Sequence, residues 1–152
     1  MALNIQDLVV TCPDLDPDGR LDDRHAKDRD NVAPRLQISG VPDGTAELAV
    51  ICHDPDAPLP WGFTHWTLYG IPADTTELGP DADERYRPGS SDFGDTGYGG
   101  PRPPAGHGPH HYYFWVYALG RRVEGEPSRR DFLDAYGDAV IEQNRVIGVY
   151  ER

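Results

Sequence analysis

Only two cysteines, Cys12 and Cys52, occur in the 152 residues, and one methionine. Widely spaced and without a C-x-x-C pairing, the cysteines form neither a disulfide framework nor a thiolate zinc site, and reduced thiols are expected. Basic charge is also scarce: 26 acidic side chains against 14 basic ones leave a net charge of −12. A field of that sign repels phosphate polymers, so nucleic acid is not an expected partner. Long apolar runs are missing too. Nothing approaches the roughly 20 residues of a membrane helix, and the stretch Met1 to Val10 carries Asn4, Gln6 and Asp7 without a basic start, unlike a secretory leader. No integral membrane contact and a cytoplasmic location are the resulting expectations.

What is abundant is punctuation. The 17 glycines and 15 prolines are dispersed between apolar runs, with no repeat and no linker-like segment. A single domain spanning residues 1–152 is expected, long enough to bury about two-thirds of its unfolded surface. Short strands and long turns fit this composition better than helices.

The run Ala46 to His53, between Pro42-Asp43-Gly44 and Asp54-Pro55, reads as a buried strand. A second strand is predicted over His65 to Ile71, with His65, Thr67 and Tyr69 on one face and Trp66 and Leu68 on the other. Tyr112 to Leu119 (YYFWVYAL) carries the strongest strand signal, and a central place in a sheet is expected for it. Val146 to Tyr150, Leu3 to Val10 and Leu36 to Ile38 are weaker candidates. One helix is predicted after Ser128, with Asp131 completing a capping box and Phe132, Leu133, Tyr136, Ala139 and Val140 sharing a face. Together these elements predict a mainly β protein, an antiparallel sandwich with one or two short helices.

Three polar groups fall at the ends of the predicted strands. The prolines of Asp54-Pro55-Asp56-Ala57-Pro58 fix two φ angles, so the loop can hold carboxylates rigidly, although an isolated D-P-D is ordinarily a plain turn. His65 stands among Trp61, Phe63 and Trp66, where a lone histidine is more often a core residue than a ligand-binding one; the nearby aspartate loop raises its standing. The segment Gly97 to Tyr112 combines glycines and prolines into a rigid exposed loop leading into the most apolar strand.

With these residues in place, the sequence resembles the phosphatidylethanolamine-binding proteins, and more closely their bacterial and archaeal, kinase-inhibitor-like branch. D-P-D-A-P stands intact at Asp54 to Pro58, followed by His65-Trp66, and G-Y-x-G-P-x-P-P-x-G-x-x-x-H-x-Y stands at Gly97 to Tyr112. Asp18-Gly19-Arg20, Asn31-Val32-Ala33-Pro34 and Gly44-Thr45 follow the family's order upstream, so the resemblance covers nearly the whole chain. It implies a β-sandwich whose two motif loops meet at a small pocket for phosphoryl head groups and small anions. By motif position that pocket holds Asp54, Asp56, His65, Gly106, His110 and Tyr112, shaped by Pro58, Pro103 and Pro104. A cis bond at Ala57-Pro58 would suit so tight a loop. Homodimers, known among bacterial members, are an analogy for this chain.

The chemistry expected of such a pocket is donation to an anion. Protonated His65 and His110 and the Tyr112 hydroxyl supply donors, Asp54 and Asp56 orient the imidazoles, and glycine-loop N–H groups add a concave nest. Arg102, in a slot more commonly small, either adds a guanidinium to the rim or obstructs the floor, the rim being favoured. His111 replaces the usual arginine, and His107 and Pro109 vary the loop. A sensor, carrier or modulator for a small anionic or phosphorylated molecule is the leading expectation. An enzyme of cyclase, lyase or hydrolase type, with His65, His110, Asp54 and Asp56 as acid–base groups, is the alternative, weakened by the lack of a serine or cysteine nucleophile in either motif. An inhibitor of kinases or proteases is a third reading, resting on family labels. No metal-ligand spacing appears, so neither a metal nor a cofactor is expected.

Overall fold

The computed structural model describes residues 5–152. Eight strands form two antiparallel sheets. Strands β1 (Val9–Thr11), β2 (Leu36–Ser39) and β5 (Glu77–Leu78) make the smaller sheet in the order β1-β2-β5. The larger contains β3 (Glu47–Asp54), β4 (Phe63–Ile71), β6 (Arg87–Pro88), β7 (His110–Leu119) and β8 (Val140–Tyr150), in the order β6-β4-β3-β7-β8. Leu3 and Asn4 of the expected first strand lie outside the described residues.

Strand β3 is central and buried along its whole length, because both faces of the large sheet are covered. On the inner face Leu48, Val50, Cys52, Trp66 and Phe114 pack against Leu8, Val10, Leu36 and Ile38 of the smaller sheet side. On the outer face Ala49, Ile51, Tyr69 and Tyr117 are covered by Phe132 and Tyr136 of helix α2 (Arg129–Tyr136). A strand buried on both sides loses the apolar–polar alternation, which is why Ala46 to His53 reads as a continuous run.

Helix α2 starts where expected, with Ser128 Oγ accepting the Asp131 N–H at 3.2 Å. It ends sooner than the apolar spacing predicts. Gly137 opens a 3-10 turn through Ala139, and Val140 already belongs to β8. Leu119↔Val140 pairing in the β7–β8 ladder takes Val140 from the helix, so sheet hydrogen bonding overrides the helical periodicity. A second, one-turn helix, α1 (Ala82–Arg85), places Asp83, which accepts Trp66 Nε1–H at 2.7 Å and the Tyr98 N–H at 2.8 Å.

Every peptide bond among the described residues is trans, Ala57-Pro58 included. Trans is the lower-energy isomer even before proline, by about 0.5–1 kcal/mol. The loop turns instead through a three-residue closure, Leu59 N–H to Ala57 C=O at 2.7 Å, which suits the fixed φ of Pro58.

Candidate functional site

The neighbouring ends of β3, β4 and β7 carry the polar groups of the site. β3 delivers Asp54 to the inner face, and β7 delivers His110 and Tyr112 from its first residues. His65 arrives there by an irregularity. Cys52 pairs with Trp66 and His53 with Thr64, so His65 is the extra residue of a β-bulge. The bulge turns His65 away from the face of Thr67 and Tyr69, contrary to the strict alternation predicted for this strand, and stacks it edge-on against Tyr112 at 5.1 Å.

These groups line a cavity of about 230 Å³. Its polar lining is Asp54, His65, Arg102, His110 and Tyr112; its apolar walls come from Ala57, Pro58, Leu59, Phe63, Phe93, Pro103 and Pro104. Asp56 and Gly106, both expected in the pocket, are not in the lining. Asp56 instead accepts from His111, at 2.8 Å from the backbone N–H and 2.7 Å from Nδ1. Burial pushes the Asp56 carboxyl up, but the His111 contacts outweigh it and hold it below the ordinary carboxylate range. Gly106 donates its N–H to the Arg152 carbonyl at 3.1 Å.

The expected nest of loop N–H groups is likewise turned inward. Gly99 N–H goes to the His65 carbonyl at 3.0 Å, Gly100 N–H to Asn31 Oδ1 at 2.7 Å and His107 N–H to the Pro104 carbonyl at 3.1 Å. Such donors stabilise the loop and are not available to a ligand. Arg102 lies at the rim: its side chain is 54% exposed, and its Nε meets Asp28 Oδ1 at 3.4 Å.

The buried His110–Asp54 pair organises the chemistry. His110 Nδ1 donates to Asp54 Oδ2 at 2.6 Å, with both side chains almost inaccessible, and Asp54 Oδ1 accepts the Asp56 N–H at 2.7 Å. The carboxylate therefore fixes the ring and leaves Nε2 as the working nitrogen. That nitrogen is already engaged, because His107 Nδ1 sits 2.6 Å from it. His107 is exposed and flanked by Gly106 and Gly108 at φ +74° and +88°, so it reaches into the site from a glycine-hinged turn.

His65 is also held through Nδ1, but by carbonyls and not by a carboxylate. Its Nδ1 lies 2.7 Å from the Gly99 carbonyl and 3.1 Å from that of Gly100; carbonyls only accept, so Nδ1 carries the proton. Burial pushes this ring's pKa down, against the pull of those carbonyls and of Asp54. A neutral His65 presents an Nε2 lone pair, an acceptor, where the sequence leads one to expect a donor. Burial, followed by the nearby Asp54 charge, pushes the Tyr112 phenol up, so its hydroxyl stays protonated and able to donate.

A family model described as phosphatidylethanolamine-binding protein matches residues 11–151. The chain belongs to the phosphatidylethanolamine-binding protein family. Within it, the chain is 40% identical over 133 residues to a UPF0098 protein of Aquifex aeolicus, covering 82% of this chain and 77% of the relative. It is 39% identical over 142 residues to a UPF0098 protein of Methanothermobacter thermautotrophicus, covering 88% and 92%. The crystal structure of Escherichia coli YbcL, described as a member of the mammalian PEBP family, aligns with a TM-score of 0.87 at 33% identity, over 97% of this chain and 99% of that one.

Several contributors escaped the sequence reading, among them the wall residues Ala57, Leu59 and Phe63. Phe93 lies in a polar loop where no periodicity marks it, yet its ring packs within 4.6 Å of Phe63 and 5.3 Å of His65. His107 reads as a loop variation, and only the turn geometry brings it to His110. Among the described residues, no three His, Cys, Asp or Glu side chains gather as a metal cage, and no helix is long and apolar enough to cross a membrane.

Proposed function

We propose that this chain binds a small monoanion, a phosphoryl or carboxylate group retaining one O–H, and serves as a sensor, carrier or modulator. The observation carrying this reading is two imidazoles at one cavity, each held through Nδ1: His110 by the Asp54 carboxylate, which favours a charged ring and a donor role, and His65 by neutral carbonyls, which suits an acceptor role. A protonated oxyanion complements that set. One oxygen accepts from His110 Nε2–H, a second accepts from Tyr112, and the remaining O–H donates to His65 Nε2. The aromatic and proline walls keep water back and strengthen each bond.

His110 already gives its Nδ1–H to Asp54, so donation to a ligand requires a second proton on Nε2. Calorimetry with inorganic phosphate tests the assignment. The expected result is millimolar or tighter binding, lost in His110→Ala. Undiminished binding by that variant would contradict the assignment.

An acid–base enzyme is supported by the same two imidazoles, which hold different protonation roles. No serine, threonine, cysteine or lysine lines the cavity, which leaves only Asp54, the two histidines and Tyr112 for covalent catalysis, and Asp54 is already committed to His110. Binding is therefore the reading adopted. Both cysteines are free and buried, which supports a reducing, cytoplasmic setting.

A further inference from the structure

A larger cavity of about 430 Å³ adjoins the first, with Leu59 common to both linings. It lies between the Pro60-Trp61-Gly62 turn, the loop of Ser90 to Asp92, and the start of helix α2. Two guanidiniums, Arg129 and Arg130, belong to its lining.

In a chain with 26 acidic residues, most basic side chains find a carboxylate. Arg129 and Arg130 do not: among the described residues neither forms an ion pair. Arg129 Nε is buried without any hydrogen-bond partner, the one such side-chain atom among the described residues. An unpaired buried donor on a cation is costly unless something occupies it. Arg130 is held differently, with its guanidinium carbon 4.0 Å from the centre of the Trp61 ring. That contact fixes the fork without using up its N–H groups.

One carboxylate shares the lining. Asp92 Oδ2 accepts the Thr64 N–H at 2.7 Å, which anchors it to β4. Two cations against one anion leave the cavity net positive in a strongly negative molecule. Trp61 is 70% exposed and offers a flat apolar surface at the mouth.

From the unpaired guanidiniums, the orphaned Arg129 Nε and the exposed indole around one cavity, we infer a second ligand site, for a phosphoryl or carboxylate group carried on a small planar or apolar body. Paired arginine forks suit oxyanions bidentately, and the volume exceeds what a bare phosphate needs. The site has its own charged groups and shares only Leu59 with the lining of the His110 cavity.

NMR titration of the full chain with phenyl phosphate, benzoate and inorganic phosphate at fixed ionic strength tests this. The Trp61 indole N–H and the arginine side-chain N–H signals report on the cavity. Saturable shifts are expected with phenyl phosphate or benzoate, weaker with inorganic phosphate, and unchanged in His110→Ala. Arg130→Glu, at an exposed position, is expected to weaken them at least tenfold, as is Arg129→Gln combined with Arg130→Gln. Three results would each overturn the inference: shifts reproduced by sodium chloride, shifts that survive Arg130→Glu, or shifts that vanish with His110→Ala.

Discussion

His107 decides whether His110 is free to bind, because its contact with His110 Nε2 occupies the atom a ligand needs. A neutral hydrogen bond of this type contributes about 1 kcal/mol, equivalent to roughly fivefold in affinity. His107→Ala is therefore expected to tighten phosphate binding by about that factor, read by calorimetry. An unchanged or weaker affinity would mean that His107 assists the ligand and does not compete with it. A second histidine bears on stability. Burial, and next the Arg129 charge, push His53 down to about 4, with Asp92 and Asp54 pulling the other way and His65 adding to the decrease. Its Nδ1 faces Thr64 Oγ1 at 3.1 Å. An unfolded His53 takes up a proton near its ordinary value of about 6.5, whereas the folded one resists. Stability is therefore lost as pH falls from about 6.5 to about 4, and His65 adds in the same direction. Urea midpoints across that window should decline, and His53→Gln should flatten the decline; an identical slope in the variant would remove His53 from the account.

At the scale of elements, the bulge in β4 and the clamp on the Gly97 to Pro101 segment set the site. Asn31, at φ +54°, accepts from Gly100 and donates to the Tyr98 carbonyl at 3.1 Å, while Lys27 N–H reaches the Pro101 carbonyl at 2.9 Å. A Cβ on Gly100 would overlap the His25 carbonyl oxygen, which is backbone and cannot rotate away. Gly100→Ala is thus expected to cost several kcal/mol by the overpacking rule, and to displace the carbonyls that hold His65. Gly106→Ala meets nothing within 4 Å and bears only its positive-φ strain, about 1 kcal/mol. Equal losses in thermal melts of the two variants would refute this. The apolar runs that became β3 and β7 were legible because burial selects apolar and β-branched residues. The first half of β8 was not: Glu142 stands there as an ordinary acid in sequence, yet it is buried and accepts N–H groups from Gln6, Asp7 and Leu8. β5 and β6, two residues each, are too short to carry a period. The bulge at His65 is a register event between strands, invisible to any pattern within one strand.

For the whole molecule, the net charge of −12 and the proposed anion site are compatible because the donors act locally, inside walls of proline and aromatic rings. The candidate site was half readable: the motif loops named Asp54, His65, His110 and Tyr112, all of which meet at the cavity. Which ring donates and which accepts was not readable, since it depends on carbonyls and carboxylates brought from distant segments. That division of roles is the central claim. It is tested most directly by long-range ¹H–¹⁵N NMR of the histidine rings during a phosphate titration of the full chain. In the complex His110 is predicted to carry a proton on both nitrogens while His65 keeps Nδ1–H and a bare Nε2. A His65 protonated on Nε2, or a His110 whose Nε2 bears no proton in the complex, would contradict it.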